Sequence, residues 1–141
     1  MLCEGPNDTF GLRYGFEKKE FDIDGRSISI TLCGSTTAIP SFAYIASELG
    51  IRWCALTDQD PRPDGTNDPQ TDKQRGLIEA YRGEGDLQVQ WPVNLESCLN
   101  ITSGKAKPEV IMEKLDIDTW ENDHPVFLET LTTIATWIDP S

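Results

Sequence analysis

The sequence predicts an α/β fold in which a central, mainly parallel sheet of about four strands is flanked by helices. Short apolar runs of strand length alternate with longer segments of helical periodicity, and most connections between them are short. This alternation favours parallel strands joined by right-handed crossovers. A length of 141 residues fits a single domain spanning residues 1–141.

The chain begins with a short predicted strand that leads into a helix. Met1–Cys3 has the composition of a strand end, and Glu4-Gly5-Pro6 forms a turn. Asn7 or Asp8 can cap a helix that continues to about Lys19. Because three residues are few for a central strand, we expect either a truncated strand or a chain cut from a longer polypeptide.

A second strand–helix unit follows. Small polar and apolar residues alternate in Ser27–Cys33, which predicts a strand. Thr36 or Thr37 can cap the helix Ile39–Leu49, and Gly50 ends it. Apolar residues spaced three and four apart predict one buried face of this helix, formed by Ile39, Phe42, Ile45, Ala46 and Leu49.

The third strand lies in the stretch Ile51–Asp60, where an apolar run stops at two aspartates, Asp58 and Asp60. In open α/β sheets, ligands bind just beyond the carboxyl ends of such strands. Residues two apart can point the same way, and paired carboxylates suit Mg²⁺ or Mn²⁺. The alternative is a pair of solvated turn aspartates, because Asp-Gln-Asp-Pro also has the composition of a turn.

The second half of the chain is predicted to contain one more strand and four helices. Polar and apolar residues alternate in the strand Leu87–Trp91. The predicted helices are Thr71–Arg82, a short segment through Leu99, Pro108–Leu115 and Val126–Ile138. Their predicted inward-facing residues are Leu77, Ile78 and Tyr81 in the first helix and Val126, Leu128, Leu131, Ile134 and Ile138 in the last.

Net charge and hydropathy restrict the partners of this chain. Its 24 acidic and 12 basic residues give a net charge of −12, which repels nucleic acid unless divalent cations or a separate basic surface offset it. No apolar run is long enough to span a membrane, and no secretory signal is present. We therefore expect a cytoplasmic protein with no membrane association.

Cysteine, histidine and tryptophan are not predicted to form the site. The widely spaced Cys3, Cys33, Cys54 and Cys98 lack zinc-ligand spacing, so reduced thiols are expected. His124, the only histidine, precedes Pro125 and is interpreted as structural. The four tryptophans are predicted to be core or surface anchors, because no basic residues interleave with them.

Acidic residues recur where three predicted strands end. Glu4 follows the first strand, with Asp8 nearby; Asp58 and Asp60 end the third; and Glu96 follows the last. Because the carboxyl ends of parallel strands lie at one edge of a sheet, these carboxylates are expected to converge there.

This pattern resembles a Toprim domain, which has a Rossmann-like fold, and most closely the C-terminal Toprim nuclease domain of the overcoming-lysogenization-defect (OLD) family of ATP-dependent endonucleases. CEGPNDTF resembles the family's glutamate–glycine opening, and CGSTTAIPSFAYIASELGIRWCALTDQD resembles the lead-in to its Asp-x-Asp motif. Asn94-Leu95-Glu96 resembles the third acidic element, and Gly104–Pro108 resembles the lysine-bearing loop. The order and spacing of these short motifs carry the resemblance.

The resemblance implies a nuclease that nicks or cleaves DNA, as in anti-phage defence, using one or two Mg²⁺ or Mn²⁺ ions. Its implied catalytic residues are Glu4, Asp58 and Lys107, with Lys105 as the alternative lysine. The implied metal ligands are Glu4, Asp8, Asp58, Asp60, Asn94 and Glu96. An ion lowers the pKa of attacking water, so no histidine is required. The implied partners are DNA and an ABC-type ATPase domain or chain, and homo-oligomers are also open.

The chain departs from the family in two ways. The ATPase that normally precedes the domain is absent, and no P-loop motif occurs, so we expect a fragment or a split module. Gly34 is followed by Ser-Thr-Thr, which lacks the basic residue often found there. Three alternatives stay open: a catalytically silent Toprim-like domain that binds a metal or a partner, another Toprim type such as a primase, topoisomerase or RNA-maturation nuclease, and a receiver-like or flavodoxin-like binding domain.

Overall fold

The computed structural model describes residues 1–140 and contains a four-stranded, all-parallel sheet. The strands are β1 (Leu2–Cys3), β2 (Thr31–Leu32), β3 (Cys54–Asp58) and β4 (Leu87–Trp91). Their order across the sheet is β2-β1-β3-β4. The predicted α/β class with a parallel sheet of about four strands is therefore confirmed.

Within residues 1–140, seven helices and one 3₁₀ turn connect and cover the strands. The helices are α1 (Pro6–Lys18), α2 (Ile39–Glu48), α3 (Pro69–Tyr81), α4 (Leu95–Cys98), α5 (Pro108–Leu115), α6 (Trp120–Asp123) and α7 (Pro125–Ile138), and the 3₁₀ turn is Asp24–Arg26. No helix within residues 1–140 combines the length and the apolar character needed to cross a bilayer.

Two apolar cores lie on opposite faces of the sheet, because alternate strand residues point to opposite sides. Leu2 and Ala55 point toward α2 and α3, where they pack with Ile39 and Ile78. The larger core takes the alternate strand residues and the inward faces of the other long helices, including Cys3, Leu56, Leu12, Ile111 and Leu131. Helices therefore cover both faces, as a parallel sheet requires.

The predicted cap of the first helix is wrong. The helix begins at Pro6, and Gly5 rather than Asn7 or Asp8 is the N-cap residue. Asp8 occupies the third helical position and accepts a hydrogen bond from the Gly5 N–H at 3.2 Å. Proline suits the first helical position because its fixed φ matches the helix, so the helix starts earlier than the acidic residues suggest.

The second strand is shorter than predicted. Only Thr31–Leu32 pairs with the sheet, whereas Ser27–Cys33 was expected. The backbone of Ser27 is left-handed, with a φ of 57°, directly after the 3₁₀ turn. That conformation breaks the extended run before it can pair.

The second helix spans nearly the residues expected, but its exposed face differs from the prediction. Neither Thr36 nor Thr37 caps it, since Ala38 is the N-cap residue and makes no side-chain capping bond. Ile39 and Ala43 are buried, whereas the predicted inward residues Phe42, Ile45 and Leu49 are 38%, 55% and 68% exposed. The helix packs against β1 and α3 near the β2 edge of the sheet, so one apolar flank has no described neighbour to bury it.

The carboxyl-terminal helices also differ in detail. The four-residue helix α6 was not predicted, and α7 begins at Pro125. Val126 was expected to face inward but is 38% exposed, while the neighbouring Phe127 is fully buried. His124 is buried between the two helices.

All four cysteines are free thiols, as predicted. Cys3 and Cys54 are buried, and Cys33 and Cys98 are partly buried. Burial raises the pKa of the Cys54 thiol to about 12, so this side chain behaves as a small apolar group.

Candidate metal centre at the carboxyl edge of the sheet

The acidic residues predicted from the sequence lie at the same edge of the sheet. Glu4 directly follows β1, Asp58 is the last residue of β3, and Glu96 lies in α4, shortly after β4. The strand β3 pairs with both β1 and β4, and all pairs are parallel. The sheet therefore brings together residues that are 92 positions apart in the chain (96 − 4).

Asp8 is held by the protein through both of its carboxylate oxygens. Oδ2 accepts the backbone N–H of Gly5, and Oδ1 accepts the indole Nε1–H of Trp91, each at 3.2 Å. Asp8 is only 8% exposed and Trp91 is fully buried. This carboxylate is consequently fixed against the turn that carries Glu4.

Glu4 has an oxygen that lacks a partner. Its Oε2 is buried and accepts no hydrogen bond from the described residues. Leaving a buried carboxylate oxygen unsatisfied costs about 1–3 kcal/mol or more. A cation bound at this oxygen would satisfy it, so the side chain fits the role of a metal ligand.

Mutual repulsion and burial perturb the neighbouring aspartates. The pKa of Asp58 is raised to about 8, first by burial and then by the negative charges of Asp8, Glu4, Asp60 and Glu96. The pKa of Asp8 is raised to about 6, mainly by burial, although its bonds from Gly5 and Trp91 oppose the shift.

No basic side chain neutralises these acids. None of the ion pairs formed within residues 1–140 involves Glu4, Asp8, Asp58, Asp60 or Glu96. Carboxylates that converge without a counter-charge are the donor set that hard divalent cations prefer. The residues present therefore fit Mg²⁺ or Mn²⁺.

The loop after β3 is fastened to the loop after β4. Asp60 has a left-handed backbone with a φ of 36°, and its N–H donates to the Val93 carbonyl at 3.0 Å. The Asn94 side-chain amide donates to Asp60 Oδ1 at 3.1 Å, while Asn94 Oδ1 accepts the Ser97 N–H at 2.8 Å. Asn94 thus caps α4 and orients Asp60.

The acids lie at the same edge of the sheet, but they are not arranged as a complete set of metal ligands. Across residues 1–140, no three acidic, cysteine or histidine side chains are arranged as a group that could hold a metal ion.

Comparison with known families agrees with this geometry. Residues 1–60 match the family described as overcoming lysogenization defect protein-like, TOPRIM domain. By this match, residues 1–60 are similar to an OLD-like Toprim domain. Toprim domains generally bind divalent metal ions and act on nucleic acid. No curated protein matches the chain.

The family match covers only part of the candidate centre. Glu4, Asp8, Asp58 and Asp60 lie within the matched residues. Glu96 and the lysine-bearing loop lie beyond them, so the sheet topology is what associates them with the centre.

The lysine-bearing loop is hydrogen-bonded to two other parts of the chain. Glu96 Oε2 accepts the Gly104 N–H at 3.0 Å, and Asn7 donates to the Ala106 carbonyl at 3.3 Å. These bonds hold the loop near the start of α1. Lys105 and Lys107 are both exposed and extend from this loop.

Sequence reasoning missed the residues that position the acids. Trp91 was predicted only as an anchor, and neither Gly5 nor Asn7 was assigned a bond to the site. One clue was available: Trp91 ends β4 as Asp58 ends β3, and the two are paired in the parallel register. The side-chain direction of Trp91 could not be read from that spacing.

Proposed function

We propose that this Toprim domain cleaves or nicks DNA by divalent-metal-dependent hydrolysis of a phosphodiester bond. The observation that carries the proposal is the convergence of Glu4 with Asp58 at one sheet edge, where Glu4 has an unpartnered buried oxygen and Asp58 has a pKa raised to about 8. Perturbed carboxylates that are not paired with basic residues are typical of functional sites.

The proposed ligands divide into two groups. Asp58, Asp60 and Glu96 would hold one ion, and Glu4 would hold a second, to which Asp58 would also contribute. When bound, Mg²⁺ or Mn²⁺ would polarise the phosphodiester and lower the pKa of the attacking water. Asp8 was expected to be a ligand; its two hydrogen bonds support a role in holding the Glu4 turn instead. Asn94 was also expected to be a ligand; its bonds support a role in orienting Asp60.

A lysine from the loop after α4 would stabilise the negative charge that develops on the phosphate. Lys107 is proposed for this role, and Lys105 is the alternative. The anchoring of this loop to Glu96 and Asn7 supports the proposal, since it keeps the two lysines on the side of the molecule where α1 begins.

The proposed DNA-cleaving unit also includes an ABC-type ATPase, supplied as a domain or as a separate chain. The likeness to the OLD-like Toprim family supports this partner. The net charge of −12 supports it too, because the chain needs added positive charge to approach DNA.

A plasmid-nicking assay with Mg²⁺, Mn²⁺ and Ca²⁺ tests the proposal, with and without such an ATPase. Wild type is compared with Glu4→Gln and Asp58→Asn, and Asp118→Asn, which replaces an exposed acid, serves as the matched control. We expect Glu4→Gln and Asp58→Asn to lose at least about 100-fold in rate, and Asp118→Asn to keep wild-type activity. Equal cutting by all four proteins would contradict the assignment.

A second candidate function is metal binding without catalysis. The observation that favours it is that the family match includes Glu4 and Asp58 but ends before Lys105 and Lys107. Mn²⁺ titration by calorimetry separates the two functions: binding that depends on Asp58, with no nicking under any condition above, would identify a catalytically silent Toprim domain.

A further inference from the structure

We propose that Trp91 is a positioning residue that sets the spacing between the two halves of the candidate metal centre. The first half is the turn that carries Glu4, and the second half is the segment from Asp58 to Asp60. The proposal rests on the proposed function for its consequence in metal binding. Its structural part, the restraint on the Glu4 turn, is independent of any metal.

The Trp91 side chain reaches the first half of the centre. Its ring is fully buried and stacks on Phe127, with centroids 5.8 Å apart and an interplanar angle of 8°. The ring therefore has little freedom to rotate. Its Nε1–H donates to Asp8 Oδ1, and Asp8 Oδ2 accepts the Gly5 N–H, so this chain of bonds ends at the residue next to Glu4.

The Trp91 backbone reaches the second half. Trp91 pairs with Asp58 in the parallel register of β3 and β4. Its carbonyl accepts the Gln59 N–H at 3.1 Å. The peptide between Asp58 and Asp60 is thus fixed to the same residue whose side chain restrains Asp8.

A phenylalanine at position 91 could fill most of the space of the indole ring but could not donate a hydrogen bond to Asp8. Without the indole N–H, Asp8 Oδ1 would remain buried with no donor, which is unfavourable for a carboxylate. Asp8 would then turn, and its bond from the Gly5 N–H would weaken. Residues that orient metal ligands in this way typically contribute 10- to 100-fold to metal affinity.

The test compares Trp91→Phe with Trp120→Phe, which removes another buried indole that contacts Phe127. We expect Trp91→Phe to weaken Mn²⁺ binding about 10- to 100-fold, as ligand-orienting residues do, and Trp120→Phe to change it less than about threefold. In an Asp8→Ala background, Trp91→Phe should cause little further loss, since each change removes the hydrogen bond between Trp91 and Asp8.

A second measurement is the rate of amide hydrogen exchange at Gly5, followed by NMR in the absence of metal. We expect exchange about tenfold or more faster in Trp91→Phe than in wild type or Trp120→Phe, since the bond to Asp8 weakens. Unchanged exchange together with unchanged Mn²⁺ affinity in Trp91→Phe would overturn the positioning role. Failure of the wild type to bind Mn²⁺ would overturn the proposed function, and the Gly5 measurement would still decide the structural role of Trp91.

Discussion

Asp58 is the site residue whose buried negative charge lowers the stability of the fold most. Its pKa in the folded chain is raised to about 8, mainly by burial, above the value near 3.9 of an unfolded aspartate. The folded state therefore holds more protons between about pH 4 and pH 8, and its stability falls as the pH rises through that window.

Asp58→Asn should remove this cost. In EDTA at pH 8, we expect the free energy of unfolding to rise by about 1–2 kcal/mol, a figure reduced for partial solvent screening. The gain should disappear below about pH 4, where Asp58 is protonated in both states. Urea titrations at several pH values measure it, with Asp118→Asn as the control; a destabilised Asp58→Asn at pH 8 would contradict this account.

If the proposed nuclease activity is correct, Lys107 or Lys105 distinguishes it from metal binding without catalysis. If Lys107 stabilises charge in the transition state, Lys107→Ala should lower the nicking rate by about 10²- to 10³-fold and leave Mn²⁺ affinity unchanged. Lys105→Ala should have a much smaller effect, and Lys19→Ala, at the end of α1, is the matched control. The reverse ranking would assign the role to Lys105.

At the residue scale, the sequence predicted which acids lie at the same edge of the sheet but not which hydrogen bonds hold each of them. Strand ends and residue type sufficed to place Glu4, Asp58 and Glu96 at one edge, because parallel topology imposes that convergence. The bond from Trp91 to Asp8 spans 83 positions. Such a bond depends on side-chain directions across two elements, which local spacing does not encode.

At the scale of elements, α1 is fitted closely against α7. A Cβ added at Gly15 would lie 2.8 Å from Phe127 Cζ and 2.9 Å from Leu131 Cδ1. Both side chains are fully buried, so neither can move aside freely. Gly15 is therefore required by close approach of the two helices, which supports the helix that carries Asp8.

Gly15→Ala should destabilise the domain by about 1–3 kcal/mol through overpacking. Gly76→Ala in α3 is the matched control, because nothing lies within 4 Å of its added Cβ; it should stabilise the domain by about 0.5–1 kcal/mol through helix propensity. Thermal unfolding of both variants measures the difference, and equal effects at the two positions would show that the interface can relax.

Element boundaries were predictable where local chemistry dominates and unpredictable where tertiary surroundings do. Alternation predicted β4 correctly, and proline predicted the start of α5. The spacing of Phe42, Ile45 and Leu49 correctly indicated a helix but not which apolar flank is buried. Burial there depends on where the sheet ends. The strand β2 lies inside the predicted run Ser27–Cys33, but its two-residue length could not be read from its own sequence.

For the whole molecule, net charge and the acidic edge act together. A charge of −12 favours any bound cation, but a general attraction is screened by salt, whereas the proposed site at Glu4 and Asp58 would select a divalent ion. The raised pKa values of Asp58 and Asp8, about 8 and about 6, also make protons compete with the ion.

Saturating Mg²⁺ or Mn²⁺ at pH 8 should therefore stabilise the fold, by about 2.7 kcal/mol at 100 times the dissociation constant. The increase in Tm should shrink toward pH 5, where protonated carboxylates bind the ion poorly. Calorimetric melting in divalent salt is compared with NaCl of equal ionic strength, and with the Glu4→Gln and Asp58→Asn variants. A specific metal centre predicts a large increase in Tm for wild type in divalent salt alone. The same increase in NaCl, or in both variants, would show that the salt only screens the repulsion between the acidic residues.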